Sequence, residues 1–350
     1  MRGAASAENA GPRASVVVVN YNGRHYLDTC LEALLAQELE GGFEVILVDN
    51  GSGDGSADHV RQRWPEVQLV EAGANLGFAG GNNLGIGQAR GRHLVLINND
   101  TRARPGWLAA LVAAAEADAR VGAVTPKLVY MDRPGVIQNA GSLLLSDGSG
   151  ADRGAGEEDR GQLDAREEVF GLCGCGALLR REMLDDVGAF DEDFFAYYED
   201  TDLSWRMRLR GWRVLYEPAA VVEHVHSGTS IEWSPFFTFH VDRNRLFMIL
   251  KNAPSGFAAA AFTRFAVLAA RAAARALLRR GRHTGEVGHR PPAPGPSRAR
   301  LHLNVVASLL RHLPSMLARR RRIRRRRTVP DADIRRWLYP REKWQQRTAV

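Results

Sequence analysis

The chain has 350 residues, a 45% hydrophobic fraction and a formal net charge of +7 at neutral pH. That length suits one large α/β domain with an appendage, or two domains, with a sizeable core. Three cysteines, Cys30, Cys173 and Cys175, exclude a disulfide framework with every thiol paired and fit a reducing cytoplasmic setting.

The net charge hides an asymmetry. Residues 251–350 carry 24 Lys and Arg against 4 Asp and Glu, leaving 23 against 36 for residues 1–250 from totals of 47 and 40. An acidic body therefore precedes a strongly basic tail. Residues 1–14 read as a disordered lead-in with no apolar core of a secretory signal.

Val16–Val19 is a β-branched run ending in NYNG, and Tyr26, Leu27, Cys30, Leu31, Leu34 and Leu35 then recur at helical spacing. Glu44–Val48 is a second strand, ending in the carboxylate of Asp49 and the turn DNGSGDGS. A helix stops before Pro65, and Val67–Val70 forms a third strand. Asn75–Ala89, NLGFAGGNNLGIGQA, reads as a glycine-rich loop running into a helix. It lacks the spacing of a dinucleotide fingerprint or a P-loop, which leaves a backbone able to approach a diphosphate.

His93–Asp100, HLVLINND, is a short apolar run stopping at Asn98, Asn99 and Asp100. A strand buried on both faces has this pattern, and ligands of open α/β sheets sit beyond the carboxyl ends of the strands. An acid flanked by carboxamides suits a hard cation and sugar hydroxyls; the plainer alternative is a cap for the helix starting near Trp107. Four strand-then-helix units predict a doubly wound, mostly parallel sheet. Asp49 and Asp100 then project from one edge.

From Val121 the pattern changes to a strand and hairpin (124–130, 136–145). An acidic, glycine-rich loop follows from Asp147 to Glu168, read as a lid. GLCGCGALLRRE combines a small-residue turn with a strand, and its two cysteines lack the second pair of a zinc site. Glu199, Asp200 and Asp202 open a helix ending before Gly211. The macrodipole favours such acids, but a cap needs only one. Strand-like Val214–Tyr216 and Ala220–Val222 lead to His224 and His226, which face opposite sides of a strand.

Residues 235–251 read as an amphipathic helix with Asp242, Arg243 and Arg245 on its polar side. Beyond it, the uncharged stretch Asn252–Thr263 is too short to span a bilayer. Arg264, Arg271, Arg275 and Arg279 share an arc of roughly 80°. A proline-rich break (Arg290–Ser297) and an arginine-rich helix follow. Basic amphipathic helices suit an anionic membrane surface, a nucleic acid or plain solvation; the membrane surface is the favoured reading.

Together, SVVVVNYNG, VILVDNGSGDGS, NLGFAGGNNLGI, VLINND, GAFDEDFFAYYEDTDLSWR and VVEHVHSG resemble the family 2 glycosyltransferases of the rhamnosyltransferase-like group. The likeness covers Ser15 to Lys251. It implies an α/β fold of GT-A type, with a donor half at 15–120, an acceptor and catalytic half at 121–251, and a basic helical extension at 252–350. It also implies an inverting hexosyltransferase that uses a nucleotide-sugar donor, favoured as dTDP-L-rhamnose, and a divalent cation, Mg²⁺ or Mn²⁺. The acceptor would be a glycan or lipid-linked glycan of cell-envelope polysaccharide synthesis, met at the inner face of the cell membrane.

Carried over by position, Asp100 would ligate the metal and Asn99 face the ribose or sugar, with Asn98 where the family has an acid. Asp49 would read the nucleobase, with Asn20 and Tyr21 lining its pocket. Asn75, Gly77 and Asn82 would lie near the diphosphate and sugar. Glu199 and Asp200 match the catalytic pair, Asp200 being the general base, and His224 would complete the metal shell, with His226 as the fallback. The competing readings are a sugar nucleotidyltransferase, which lacks support from NYNG, and a nucleic-acid binder, which lacks the usual motifs.

Overall fold

The computed structural model describes residues 11–225, 234–280 and 298–348. His226 and the proline-rich break lie outside the described residues. Strand and helix alternate through β1 (Ala14–Asn20), α1 (Arg24–Leu35), β2 (Phe43–Asp49), α2 (Ser56–Arg63), β3 (Gln68–Glu71), α3 (Gly77–Gln88) and β4 (His93–Asn98). Then come β5 (Thr101–Ala103), α4 (Trp107–Glu116), β6 (Val121–Tyr130), β7 (Ile137–Asn139), β8 (Ser142–Leu145), β9 (Gly150–Asp152) and β10 (Glu167–Glu168). Next are β11 (Leu178–Arg180), α5 (Arg181–Val187), α6 (Glu199–Leu209), β12 (Arg213–His224) and α7 (Pro235–Asn252). The tail contributes α8 (Ser255–Arg280), α9 (Arg298–Arg326), α10 (Asp331–Arg335), β13 (Leu338–Tyr339) and α11 (Arg341–Thr348).

The main sheet runs β10-β12-β6-β11-β4-β1-β2-β3, with β5 on β12 and β7 on β6. β1 is parallel to β2 and β4, β2 to β3, and β6 to β12, while β11 is antiparallel between β4 and β6. Alternate residues of β1, β2 and β4 feed two cores. Val16, Val18, Leu47, Val95 and Ile97 meet Leu27 and Leu31 of α1 and Trp107 of α4 on one face. Val17, Ile46, Val48, Leu94 and Leu96 meet Ala79 of α3 and Leu203 and Met207 of α6 on the other. Burial on both faces is why these strands read as uninterrupted apolar runs.

Most of the glycine-rich segment proves to be helix rather than loop, since α3 begins at Gly77. Its glycines serve packing: a Cβ on Gly85 would sit 2.3 Å from Val17 Cγ1, and one on Gly81 2.8 Å from Val19 Cγ1. Bare backbone lets α3 lie directly against β1.

The segment read as a lid is tied down. Lys127 Nζ binds Asp159 at 2.9 Å and also Asp164, and Arg153 pairs with Glu167. Its first part forms β9, paired with β8 in a separate three-stranded sheet that β13 completes.

The basic helical extension is docked on the acidic body. Met316 of α9 and Ile334 of α10 are buried in a cluster with Phe194, Trp205 and Phe247. Arg319 pairs with Asp191 at 2.8 Å and Arg320 donates to the carbonyl of Ala253 at 2.8 Å. Acids of the body thus neutralise part of the tail. Arg243, expected on a polar face, is likewise buried, because its guanidinium satisfies the carbonyls of Asp193 and Phe194 at 2.9 Å each. The uncharged stretch of α8 ends at Thr263, but with its arginines admitted Ser255–Arg275 is long and apolar enough to cross a membrane by length and composition. Alanines on either side of Arg264 and Arg271 extend it.

Candidate active site

β1 and β2 finish in register, Asn20 opposite Asp49, and Val19 lies opposite Asn98 of β4. Their polar ends form one network. Asn99 Nδ2 donates to Asn20 Oδ1 at 2.6 Å, and Asn20 Nδ2 donates to Ser52 Oγ at 3.2 Å and Asp49 Oδ1 at 3.4 Å. Ser52 N donates to Asp49 Oδ2 at 3.0 Å, and Ser52 Oγ accepts from Asn22 N at 2.9 Å. Ser52 therefore pins the DNGS and NYNG turns together, which sequence reading missed. Tyr21, 39% exposed, offers an open aromatic face beside a buried carboxylate.

A second unforeseen residue, Asn50, ties this edge to the start of α3. Its Nδ2 donates to Asn75 Oδ1 and Gly77 O, both at 3.1 Å, and its Oδ1 accepts from Leu76 N at 3.0 Å. Gly77 has φ +71°, and a Cβ there would lie 2.4 Å from Phe195 O. No side chain is tolerated at that junction. Asn82 stands apart: it is buried and its amide donates to Phe78 O, one turn back in its own helix, at 2.9 Å.

Asp100 lies beside His224, whose Nε2 is 3.2 Å from Asp100 Oδ1. The pairing of β5 with β12, Thr101 opposite His224, fixes them. His224 Nδ1 sits 2.9 Å from Gln138 Oε1, an amide oxygen that accepts from Nδ1–H and so orients the ring with Nε2 toward the carboxylate. Two adjacent ligands of one small cation stand about 3 Å apart, so this pair fits a divalent ion. Among the described residues no group of three or more His, Cys, Asp or Glu gathers to hold a metal. Such an ion would take its remaining ligands from water and a diphosphate, as Mg²⁺ commonly does.

The acids opening α6 divide into three environments. Asp202 is fully buried, with Lys251 Nζ and Arg206 Nε each 2.9 Å from Oδ2 and Asn252 Nδ2 2.7 Å from Oδ1. Burial alone would raise its carboxyl, but Lys251 and Arg206 outweigh that and hold it below the ordinary range. It is a structural tie between α6 and α7. Glu199 is buried with Oε2 lacking a hydrogen-bond partner. Burial first, then Asp200 and Asp202, push its carboxyl well up. Asp200 is raised too, chiefly by burial, and is opposed by hydrogen bonds to its ionised form. These come from Thr201 N at 2.6 Å, Thr201 Oγ1 at 3.1 Å and Gly174 N at 3.3 Å. Asp200 is thus the better proton acceptor of the pair, and Glu199 the better neutral neighbour.

The loop before them is strained. Phe195, Tyr197 and Tyr198 have φ of +65°, +70° and +69°, where side-chain-bearing residues are rare. Buried Asn244 of α7 holds it, its Nδ2 donating to the carbonyls of Phe194, Ala196 and Tyr197 at 2.8 Å each.

The Cys173–Gly176 turn joins the two sides. It enters β11 alongside β4, with Leu96 N donating to Ala177 O at 2.8 Å. Gly174 N reaches Asp200, while Asp100 adds to the burial that keeps the Cys175 thiol neutral. A Cβ on Gly174 would meet Phe78 Cζ at 2.8 Å. Both thiols are pushed well up by burial, which favours their neutral form.

Residues 15–188 match the glycosyl transferase family 2 profile. The chain is 31% identical over 263 residues to an N-acetylglucosaminyl-diphospho-decaprenol L-rhamnosyltransferase of Mycobacterium tuberculosis, covering 69% of this chain and 85% of that protein. It is 29% identical over 213 residues to the O-antigen biosynthesis protein RfbC of Myxococcus xanthus, covering 58% of this chain and 16% of that one. Among solved structures, GalNAc-T7 with UDP, GalNAc and Mn²⁺ superposes with a TM-score of 0.56 at 16% identity, over 70% of this chain and 48% of that chain. The mannosyltransferase PcManGT of Pyrobaculum calidifontis, in complex with GDP-Man and Mn²⁺, gives 0.50 at 20%, over 86% and 87%. This chain spans about half of the first of these structures and most of the second. The fold is GT-A-like, and the chain belongs to the family 2 glycosyltransferases, in their rhamnosyltransferase-like group.

Proposed function

We propose that this transferase moves a 6-deoxyhexose, L-rhamnose from its dTDP donor, onto a lipid-linked glycan with inversion at the anomeric carbon. The carrying observation is that one short turn, Cys173–Gly176, bonds to Asp200 through Gly174 N at 3.3 Å on one side, while on the other the Cys175 thiol meets the backbone of Asn98, two residues before Asp100. A carboxylate beside a histidine and a raised carboxylate therefore flank one site. The 31% identical relative supports the sugar and the lipid carrier, since its name includes both.

In this reading Asp49, Asn20 and Tyr21 hold the base, and Asn99 meets the ribose. Asn75 and Gly77 shape the floor under the diphosphate and sugar. Asp100 and His224 would hold Mg²⁺ or Mn²⁺, which when bound offsets charge on the departing diphosphate. Asp200 takes the proton from the acceptor hydroxyl as its oxygen attacks the anomeric carbon and the nucleoside diphosphate leaves. Burial suits Asp200 to this, because a base works best with a pKa closer to the working pH. Glu199, held neutral, adds no second charge to repel the attacking oxygen. The enzyme works at the cytoplasmic face of the membrane, where nucleotide sugars and lipid carriers meet.

Asp200→Asn is expected to lower transfer about 10²- to 10⁴-fold while leaving donor binding intact. Radiolabelled transfer from dTDP-L-rhamnose to a polyprenyl-diphosphate GlcNAc acceptor, with a thermal-shift titration of the donor in Mn²⁺, reads both. Near-normal turnover in the variant removes Asp200 from this role.

A further inference from the structure

Between Arg243 and Pro330 the sequence holds one acid, Glu286, so neither α8 nor α9 carries a carboxylate. α9 spends one face on the body through Leu301, Val305 and Met316. Its outer face is unusual. Leu303 is 69% exposed and Leu310 66%, and Val306, Leu313 and Leu317 are also exposed. At about 100° per residue these five fall within roughly 80° of one another, a single stripe along the helix. Exposed Arg311, Arg321, Arg322 and Arg325 occupy the adjoining arc of about 100°. α8 packs beside it through Ala258, Ala261 and Phe265, leaving Val267 and Leu268 exposed.

We propose that this α9 surface, flanked by α8, docks the protein side-on against a bilayer bearing anionic headgroups. A leucine stripe beside an arginine row matches the two layers of such an interface, acyl chain edge and phosphate. A second copy of the chain fits poorly, because the same surface offers no acid to pair with those arginines. Nucleic acid would engage the arginines and leave the leucines in water.

The orientation serves the reaction. α7 and α9 lie side by side in the same sense: Asp242 feels Arg298 and His302, Phe247 stacks near His312 at 5.4 Å, and the Leu250 carbonyl accepts from Arg320 at 2.6 Å. The start of α9 therefore lies toward the start of α7. There Phe236 packs on Phe195 at 6.1 Å, and Phe195 O accepts from Ala79 N of α3 at 3.1 Å. One end of the docking surface thus lies toward the catalytic loop, where a lipid-borne acceptor would enter. This deepens the proposed function, resting on it for the acceptor only; vesicle binding is measured without catalysis.

The test is co-sedimentation of the full chain with phosphatidylcholine vesicles, with and without phosphatidylglycerol. The expected result is strong binding only with the anionic lipid, weakened by salt. Leu303→Gln/Leu310→Gln/Leu317→Gln and Arg311→Gln/Arg321→Gln/Arg325→Gln should each weaken it about tenfold or more. Donor thermal shifts and transfer to a soluble acceptor should stay unchanged in both, which separates loss of docking from loss of the fold or the reaction. Equal binding to neutral vesicles, or wild-type affinity in both variants, overturns the proposal. So does tighter binding to duplex DNA that ignores the leucines, or a dimer that the leucine variant dissociates.

Discussion

Where β1, β2 and β4 end, polar side chains hold one another and the backbone is nearly relaxed. Asn22, at φ +52°, is the only positive-φ residue there other than glycine, and Asn tolerates that region. At Phe195–Tyr198 the opposite holds: three bulky residues sit at positive φ, and the groups that keep them there come from α7. Strain of this kind costs about 1–3 kcal/mol per residue and persists only when the surroundings over-determine it. In the proposed reading the donor side is a site made by strand ends, whereas the acceptor side is a site made by clamping. Damage should therefore spread differently on the two sides.

The largest effect is expected at the root of the clamp. Asp202→Ala leaves Lys251 and Arg206 charged and buried against α6, at a cost of about 3–5 kcal/mol. Asp202 is held below its ordinary value, so its contribution is present above the unfolded-state pKa and lost as pH falls through the folded one. Urea unfolding should show a wild-type advantage at neutral pH that shrinks in acid. A difference independent of pH would mean the ion cluster is not what α6 and α7 share.

Asn244→Ala comes next and sharpens the contrast. Removing one amide that serves three carbonyls should let the strained loop relax, misplacing Asp200 and lowering kcat about 10²-fold. Donor affinity, set at the strand ends, should hold. Asn244→Gln, which keeps the amide, should recover part of kcat; a loss of KM for donor alone would place the lesion on the other side.

On the donor side effects should stay local. Gln138→Ala frees the His224 ring without touching Asp100, and metal affinity should drop about 10- to 100-fold. Nucleotide binding without metal should be unchanged, since Asp49 and its partners are untouched. Calorimetric titration with Mn²⁺ and dTDP distinguishes the two.

How much of this could be read in advance follows the same division. Strands buried on both faces advertise themselves as apolar runs, so β1, β2 and β4 were legible, and Asn20, Asp49 and Asp100 at their ends with them. Ser52, Asn50 and Gln138 left no mark, because each matters only through a neighbour distant in sequence. The strain at Phe195, Tyr197 and Tyr198 was hidden because no glycine announces it. The second role of the α3 glycines was equally hidden: Gly81 and Gly85 also space helix against strand, because the residues they meet, Val19 and Val17, lie more than sixty residues earlier. The docking of the arginine run was hidden for a related reason: the acids it meets, Asp186, Asp191 and Asp193, lie more than a hundred residues earlier.

The smallest expected effect concerns Glu199, and its sign sets it apart from Asp202. A carboxyl pushed up by folding stays protonated in the native state after the unfolded chain has lost its proton. Native protein then binds one more proton than unfolded, so stability falls by about 1.4 kcal/mol per pH unit between the two values. That contribution is complete below the unfolded pKa and gone once pH has risen through the folded one. Glu199→Gln is neutral in both states and removes the slope. Unfolding free energies at several pH values above the ordinary carboxylate range should therefore fall less steeply in the variant. Near pH 4 the two proteins should converge. Parallel curves would mean that Glu199 is ionised in the folded protein. The acceptor side would then hold two charged acids, leaving Asp200 a poorer base than the clamped loop now makes it.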